Sequence, residues 1–220
     1  MKASKKAKKE EKIIRSAEKV FSNLGYKNSK MEDIAEASGI TKVTLYSYFQ
    51  SKENLYMAIT YHAMLSLNKF YIEICKKHKK DKGITSTLAL IEGFMNFCEQ
   101  YYLYSEALLD YFSLIRSGSS TFTDALKESV YFKKAQNIQN EAFKYVIAEI
   151  ERGKEDGSIS SELDSAVITL IGWTSGIGYA KVVSASGSRK TNILNVDLAE
   201  IKKIKISLAR KLISNKISYN

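Results

Sequence analysis

Proline is missing from all 220 residues of this chain. No ring therefore removes a helical N–H or clashes with the preceding turn, and the apolar residues recur mostly at three- and four-residue spacing, with weak strand signals. Cysteine is scarce. The two present, Cys75 and Cys98, lie in helical patterns and form no disulfide framework, as expected of reduced thiols in a cytoplasmic protein. Histidine is limited to His62 and His78. There is no glycine-rich phosphate loop, no nucleophile elbow and no evident carboxylate pair, so no enzyme and no cofactor are expected. Cys75 and His78 stand at i, i+3 without a further ligand, so no metal site is expected. No apolar run approaches the ~20 residues of a spanning helix. The basic N-terminus lacks the apolar stretch of a signal peptide. Neither membrane nor export is expected.

What is abundant is apolar side chain, 45% of the chain, and positive charge, +10 net. The charge is uneven. Residues 1–82 hold 18 Lys and Arg against 9 Asp and Glu, while residues 83–220 hold 16 against 15. A basic segment displaces counterions from nucleic acid and supplies salt-sensitive affinity; it is also expected of a protein on a membrane surface. The lysine-rich start, MKASKKAKK, is either a solvated extension of the first helix or an arm against phosphates or in a minor groove.

The segment SKMEDIAEASGITKVTLYSYFQSKENL, residues 29–55, favours nucleic acid. Ser29 with Glu32 reads as a capping box for a short helix. Ile34 and the small Ala35 face inward, and Gly39 allows a sharp turn. Thr41 caps a second short helix, whose Leu45 and Phe49 point inward. Lys42, Val43, Tyr46 and Ser47 are left on its outer face. Ser51 caps a further helix. This spacing is that of a helix-turn-helix, whose second helix enters the major groove; an ordinary helical hairpin in an all-α core has the same inward residues.

The run from Met31 to Leu55, above all TKVTLYSYFQSKENL, resembles the DNA-binding segment of the TetR (tetracycline repressor) family. Residues 13–25, IIRSAEKVFSNLG, resemble its first helix. Val43 departs from the pattern, standing where the family often has glycine or another small residue. The resemblance covers about the first 60 residues. It implies that Thr41, Lys42, Val43, Tyr46 and Ser47 face bases or the adjoining backbone, and that Tyr48, Lys52 and Ser29 hold phosphates.

The rest of the chain reads as helices: a long fourth from Ser51 to about Lys80, a fifth through Leu88 and Cys98, a sixth capped by Ser105, and a long seventh from about Phe122 to Glu151. An eighth opens at Ser161 with Asp164 and runs to about Ala185. A ninth is capped by Asp197 and Glu200. We expect an all-α fold of about nine helices, with a three-helix DNA-binding domain at 1–55 and a larger ligand-binding and dimerisation domain at 56–220. A palindromic duplex operator requires two copies. The last two helices, with Gly172, Gly176 and Gly178, are the expected homodimer contact; the alternative sets those glycines against the chain's own core. Aromatics crowd residues 94–112. The resemblance implies a pocket for a small-molecule inducer, and Phe94, Phe97, Tyr101, Tyr104, Tyr111 and Trp173 are the candidates to line it. The expected protein is a cytoplasmic regulator, a repressor released by its inducer.

Overall fold

The computed structural model describes residues 4–117, 124–127, 129–186 and 194–214. Among these residues there are eleven helical segments and no strand. They are α1 (Lys5–Leu24), α2 (Met31–Ser38), α3 (Lys42–Tyr48), α4 (Lys52–Lys77), α5 (Gly83–Gln100), α6 (Tyr102–Ser117), α7 (Asp124–Lys127), α8 (Val130–Ile138), α9 (Glu141–Glu155), α10 (Ser165–Ser186) and α11 (Leu198–Ser214). The nine-helix layout holds, with the expected seventh helix divided into α7, α8 and α9; its expected start at Phe122 lies outside the described residues. Most of the lysine-rich start is helical, since α1 begins at Lys5 under a Ser4 cap.

Several helix starts differ from expectation by a turn or less. Ser105 is a buried residue inside α6 and not its cap. Asp164, not Ser161, caps α10: its carboxylate accepts the Val167 N–H at 2.9 Å. At α11, Asp197 alone accepts, from Ala199 N–H at 2.9 Å. A carboxylate at a helix start both satisfies an orphan donor and complements the dipole.

The chain divides into two compact units. The first joins Met1–Met64 to Leu103–Ile138. Its core holds Ile13, Ile14, Ala17 and Phe21 of α1, Ile34 of α2, Leu45 of α3, Leu55 and Ile59 of α4, and Ala107 of α6. Leu24 is 48% exposed where the helix ends at Gly25. Three tyrosine hydroxyls join α6 and α8 to the N-terminal helices. Tyr56 donates to Asp110 at 2.8 Å, Tyr104 to Glu18 at 2.7 Å and Tyr131 to Glu10 at 3.0 Å. Burial and the neighbouring carboxylates raise the Tyr56 and Tyr131 hydroxyls well above the ordinary phenol range. They remain donors at any working pH.

The second unit joins Leu65–Tyr102 to Gln139–Asn220. Helix α5 is its central element, with Leu88, Leu90, Phe94, Met95, Phe97 and Cys98 buried. Its start abuts the end of α9: Asp156 accepts the Gly83 N–H at 2.6 Å and Ser158 Oγ accepts that of Ile84 at 3.1 Å. Helix α10 packs on α5 through glycine. A Cβ built on Gly176 falls 2.6 Å from a Phe94 ring carbon, and one on Gly172 sits 3.6 Å from Ile91. Two of the three glycines thus face the chain's own core, while none of the described residues stands within 4 Å of a Cβ built on Gly178. The expectation that no apolar run approaches spanning length is corrected here. Over Ser165–Ala185, α10 is long and apolar enough to cross a membrane by length and composition, with 28% of that window buried.

Candidate nucleic-acid interface

The turn between α2 and α3 is built by backbone hydrogen bonds that only a left-handed residue allows. Gly39 lies at φ 65°, ψ 40°. Its N–H reaches the Glu36 carbonyl at 2.9 Å, and the Ile40 N–H reaches that of Ala35 at 3.0 Å. This is a Schellman closure, in which the two N–H groups beyond the helix satisfy its last free carbonyls. Helix α3 starts at once, with Thr41 Oγ1 accepting the Thr44 N–H at 3.2 Å. Leu45, fully buried, and Phe49, 3% exposed, pin α3 and the residue after it to the core. The rotation of the helix is then fixed. Thr41, Lys42, Val43, Tyr46 and Ser47 are exposed, Val43 at 82% and Tyr46 at 40%. A short helix held by two apolar anchors presents a small, polar and aromatic surface, which is what a groove reader requires.

Not every expected contact residue is on that surface. The capping box expected from Ser29 and Glu32 sits one residue later. Lys30 is the N-cap residue, and Asp33 accepts its N–H at 2.7 Å. Ser29 is 2% exposed and donates its hydroxyl to the Gly25 carbonyl, closing the turn out of α1. Tyr48 is half-buried against the core, with the Lys9 ammonium 5.9 Å from its ring centroid. Lys52 stands in the first turn of α4, behind Ser51, whose Oγ accepts the Asn54 N–H at 3.2 Å. The Lys52 ammonium donates to the carbonyls of Tyr26 at 2.7 Å and Ser29 at 3.0 Å, and lies 4.4 Å from the Tyr26 ring centroid. It holds the α1–α2 turn to α4. Changing Lys52 to methionine is therefore expected to lower the melting temperature by about 2–6 °C, because two charge-assisted bonds are lost at a half-buried site. If its remaining N–H meets a phosphate, the salt slope of duplex binding falls by about one as well. A drop in melting temperature with an unchanged slope marks Lys52 as a clamp only.

Glu32 carries a role that the capping assignment hid. Its carboxylate pairs with Lys42, so the cation expected at the groove is tied to α2. The hydrogen bond to Lys42 holds the Glu32 carboxyl below the usual carboxylate range, and Glu32 raises the Lys42 ammonium. The lowered Glu32 keeps the pair intact above the ordinary carboxylate pKa and loses it as pH falls through the lowered value. The raised Lys42 loses it only as pH rises through its own. At neutral pH any phosphate or base must compete with Glu32. Glu32→Gln is expected to tighten duplex binding by up to about fivefold, the range of an exposed ion pair, as read by a fluorescence-anisotropy titration at fixed salt. Unchanged or weaker binding would place Lys42 outside the interface.

The six aromatics expected around an inducer divide between the units. Tyr104 and Tyr111 belong to the first; Phe94, Phe97, Tyr101 and Trp173 belong to the second. Phe97 and Tyr111 are fully buried and Phe94 nearly so, while Tyr101 is 40% exposed. Burial pushes the Tyr111 hydroxyl up to about 12. Trp173 is half-buried, its ring edge-on to Phe143 at 5.4 Å. Cys75 lies beside Glu149, and burial pushes its thiol up to about 11, so it is not a reactive thiolate. Among the described residues no group of three or more His, Cys, Asp or Glu gathers as a metal site.

Comparison with known proteins bears on this segment first. Residues 13–59 match the family described as bacterial regulatory proteins, tetR family. Over 51 residues the chain is 41% identical to the HTH-type transcriptional regulator RutR of Escherichia coli K12, a stretch covering 23% of this chain and 24% of RutR. The match thus spans about a quarter of the length of that relative. Solved structures extend the likeness over the whole chain at low identity. A bacterial regulatory protein in the tetR family from Rhodococcus RHA1 is 17% identical, with a TM-score of 0.68 over 98% of this chain and 100% of its own. The transcriptional regulator FadR from Bacillus subtilis, solved in complex with stearoyl-CoA, is 15% identical, with a TM-score of 0.64 over 92% of this chain and 98% of its own. At these identities the likeness is one of fold.

Proposed function

We propose that this chain, whose residues 13–59 match the tetR family of bacterial regulatory proteins, is a homodimeric, sequence-specific transcriptional regulator, a repressor released from its operator by a small-molecule inducer. The observation that carries the reading is the outward face of α3. Thr41, Lys42, Val43, Tyr46 and Ser47 are exposed on a helix whose orientation Leu45 and Phe49 fix. These side chains meet bases and adjoining backbone in the major groove, while Tyr48, Lys52 and the α2 start around Ser29 meet phosphates. Phosphate contacts set register and base contacts choose sequence. The DNA-binding domain is residues 1–55, and residues 56–220 bind the inducer and make the dimer.

A single α3 reads only a few base pairs, so the operator is a palindrome with half-sites about one helical turn apart. The dimer contact is the outer face of the last two helices. Val167, Leu170 and Ile171 on α10 are 44–52% exposed, and Ile204 and Leu208 on α11 are 52% and 60% exposed. An apolar patch of this kind marks an interface. Gly178, whose Cβ would meet nothing within 4 Å among the described residues, allows the second copy to approach closely. The inducer is met by a subset of Phe94, Phe97, Tyr101, Tyr104, Tyr111 and Trp173, of which Tyr101 and Trp173 are among the more accessible. It acts by population shift, favouring a dimer whose α3 helices are wrongly spaced; DNA reciprocally lowers inducer affinity. Helix α4 supplies residues to both compact units and is the natural lever.

Two measurements test this. A mobility-shift titration against the DNA upstream of the protein's own gene should give one complex with half-sites about 10 base pairs apart, and light scattering should give a dimer. A monomer that retards every duplex equally would overturn it. The apolar α10 supports a second reading, a helical ligand-binding or membrane-surface protein using its helix-turn-helix only structurally. That reading requires co-sedimentation with anionic vesicles and no operator preference.

A further inference from the structure

Tyr131 stands in the first turn of α8, a helix opened by Ser129, whose Oγ accepts the Phe132 N–H at 3.2 Å. Its ring is half-buried against the core that α1–α4 and α6 build. Several neighbours hold it there. The Phe49 ring is stacked with it at 26°, the centroids 6.1 Å apart. The Tyr61 ring of α4 meets it at 5.9 Å and 57°. Its hydroxyl donates to Glu10 of α1 at 3.0 Å. The ammonium of Lys134, one turn on along α8, is 4.8 Å from its ring centroid. Rings at these separations attract one another, and a cation over a ring face adds to the hold. A side chain gripped at ring and hydroxyl alike cannot swing aside when its own helix shifts, and close-packed groups pass such a shift to their neighbours.

Phe49 is the neighbour on which a shift of α8 tells most. It follows the last residue of α3 and closes that helix, its N–H donating to the Leu45 carbonyl at 3.0 Å. A helix of seven residues is too short to be stable alone, so α3 takes its orientation from its buried anchors, Leu45 and Phe49. Displacing one anchor against the other turns the outer face that carries Val43 and Tyr46. Helix α8 is itself closely tied along the chain. It ends at Ile138, the last residue of the first unit, and α9 starts at Glu141 in the second. Gln139 and Asn140 alone join them, so the start of α9 cannot shift far without drawing α8 with it.

We propose that Tyr131 is a positioning residue for α3: through its contact with Phe49, helix α8 sets the rotation of α3 and thereby its selectivity among duplexes, a route of control separate from α4. The ring carries the effect, and the bond to Glu10 steadies the ring. The consequence for duplex selectivity rests on the DNA-binding reading above; the hold of Tyr131 on α3 does not.

The test uses three full-length variants. Tyr131→Leu removes the ring and the hydroxyl but keeps apolar bulk, with Tyr131→Met in its place should leucine impair folding. Tyr131→Phe removes the Glu10 bond alone. Tyr56→Leu is the control: Tyr56 packs against the same core and bonds Asp110, but its ring neighbours are Phe21 and Tyr26. Amide hydrogen exchange followed by NMR reads α3 without DNA. Exchange of the Phe49 amide, taken relative to that of the buried Ile59 in α4, is expected to quicken about tenfold in Tyr131→Leu, the upper range of an aromatic pair, and less than about twofold in Tyr131→Phe and Tyr56→Leu. The ratio of affinities for specific and scrambled duplexes is expected to fall about tenfold in Tyr131→Leu and to stay within about twofold in the control, whatever the melting temperature of each. A merely structural tyrosine gives the opposite pattern, with the ratio following the melting temperature in both. An unaltered Phe49 amide in Tyr131→Leu, or an equal response of the control, overturns the proposal. A quickened Phe49 amide with an unaltered duplex ratio overturns it too, since α3 is then loosened without being turned. If the unsubstituted chain prefers no duplex, the DNA-binding reading fails alone, and amide exchange still decides whether Tyr131 holds α3.

Discussion

Alanine in place of Tyr46 is expected to weaken operator binding by about 100-fold or more while moving the melting temperature by no more than about 2 °C. The ring is 40% exposed at the centre of the α3 outer face, and its neighbours in the helix, not the ring itself, fill the core. An exposed substitution of this kind costs folding within about 0.5 kcal/mol. A groove contact discriminates by about 1–3 kcal/mol, and a dimer on a palindrome makes it twice, at sites distant enough to add. The Lys42 ammonium, 5.9 Å from the ring centroid, loses its aromatic neighbour too. Mobility-shift titration against specific and scrambled duplexes, with calorimetry of the free protein, separates the outcomes. Loss confined to the specific duplex assigns Tyr46 to base reading. A fall in melting temperature of several degrees, or undiminished affinity, removes it from the interface.

The outer face of α3 was legible because local rules alone determine it. Thr41 as cap, Leu45 and Phe49 as inward anchors and Gly39 as the turn leave a single rotation for the helix, and the structure has it. The start of α2 was less legible, for a physical reason. The run Ser29-Lys30-Met31-Glu32-Asp33 offers two capping registers offset by one residue. The Gly25 carbonyl, left free by the end of α1, captures the Ser29 hydroxyl and so decides between them. Asp164 caps α10 in place of Ser161 because it directly precedes Ser165, the first residue of the helix. What the sequence does not carry is partnership across long separations. Lys52 with the Tyr26 and Ser29 carbonyls, Lys42 with Glu32, and Tyr104 with Glu18 depend on which helices meet. The same limit applies to the aromatics. Periodicity marks Phe97 and Tyr101 as helical neighbours, but only packing buries the first and exposes the second.

Alanine at Gly83 is expected to produce the largest loss of stability of any single methyl added to the glycines among the described residues. The new Cβ would lie 2.1 Å from the Gly153 nitrogen, 2.3 Å from its Cα and 2.8 Å from the Arg152 carbonyl carbon. These are backbone atoms of α9, so no side-chain rotation relieves the clash; α5 and α9 must separate. Separation also strains the Asp156 and Ser158 bonds that close the start of α5. Overpacking costs about 1–3 kcal/mol where side chains can yield, and a lost cap adds about 1. A destabilisation of about 3 kcal/mol follows, or a fall of about 6–12 °C in melting temperature. Gly172→Ala is the matched comparison. Its Cβ would meet Ile91 at 3.6 Å, an ordinary contact, and it should leave stability unchanged or improve it by up to about 1 kcal/mol through helix propensity. Were Gly83→Ala to melt with the parent protein, the approach of α5 to α9 would be looser than described. Because Gly83 lies in the second unit and α3 in the first, the two substitutions also separate fold from function. Gly83→Ala at a temperature well below its melting point should keep sequence-selective duplex binding that Tyr46→Ala, fully folded, has lost.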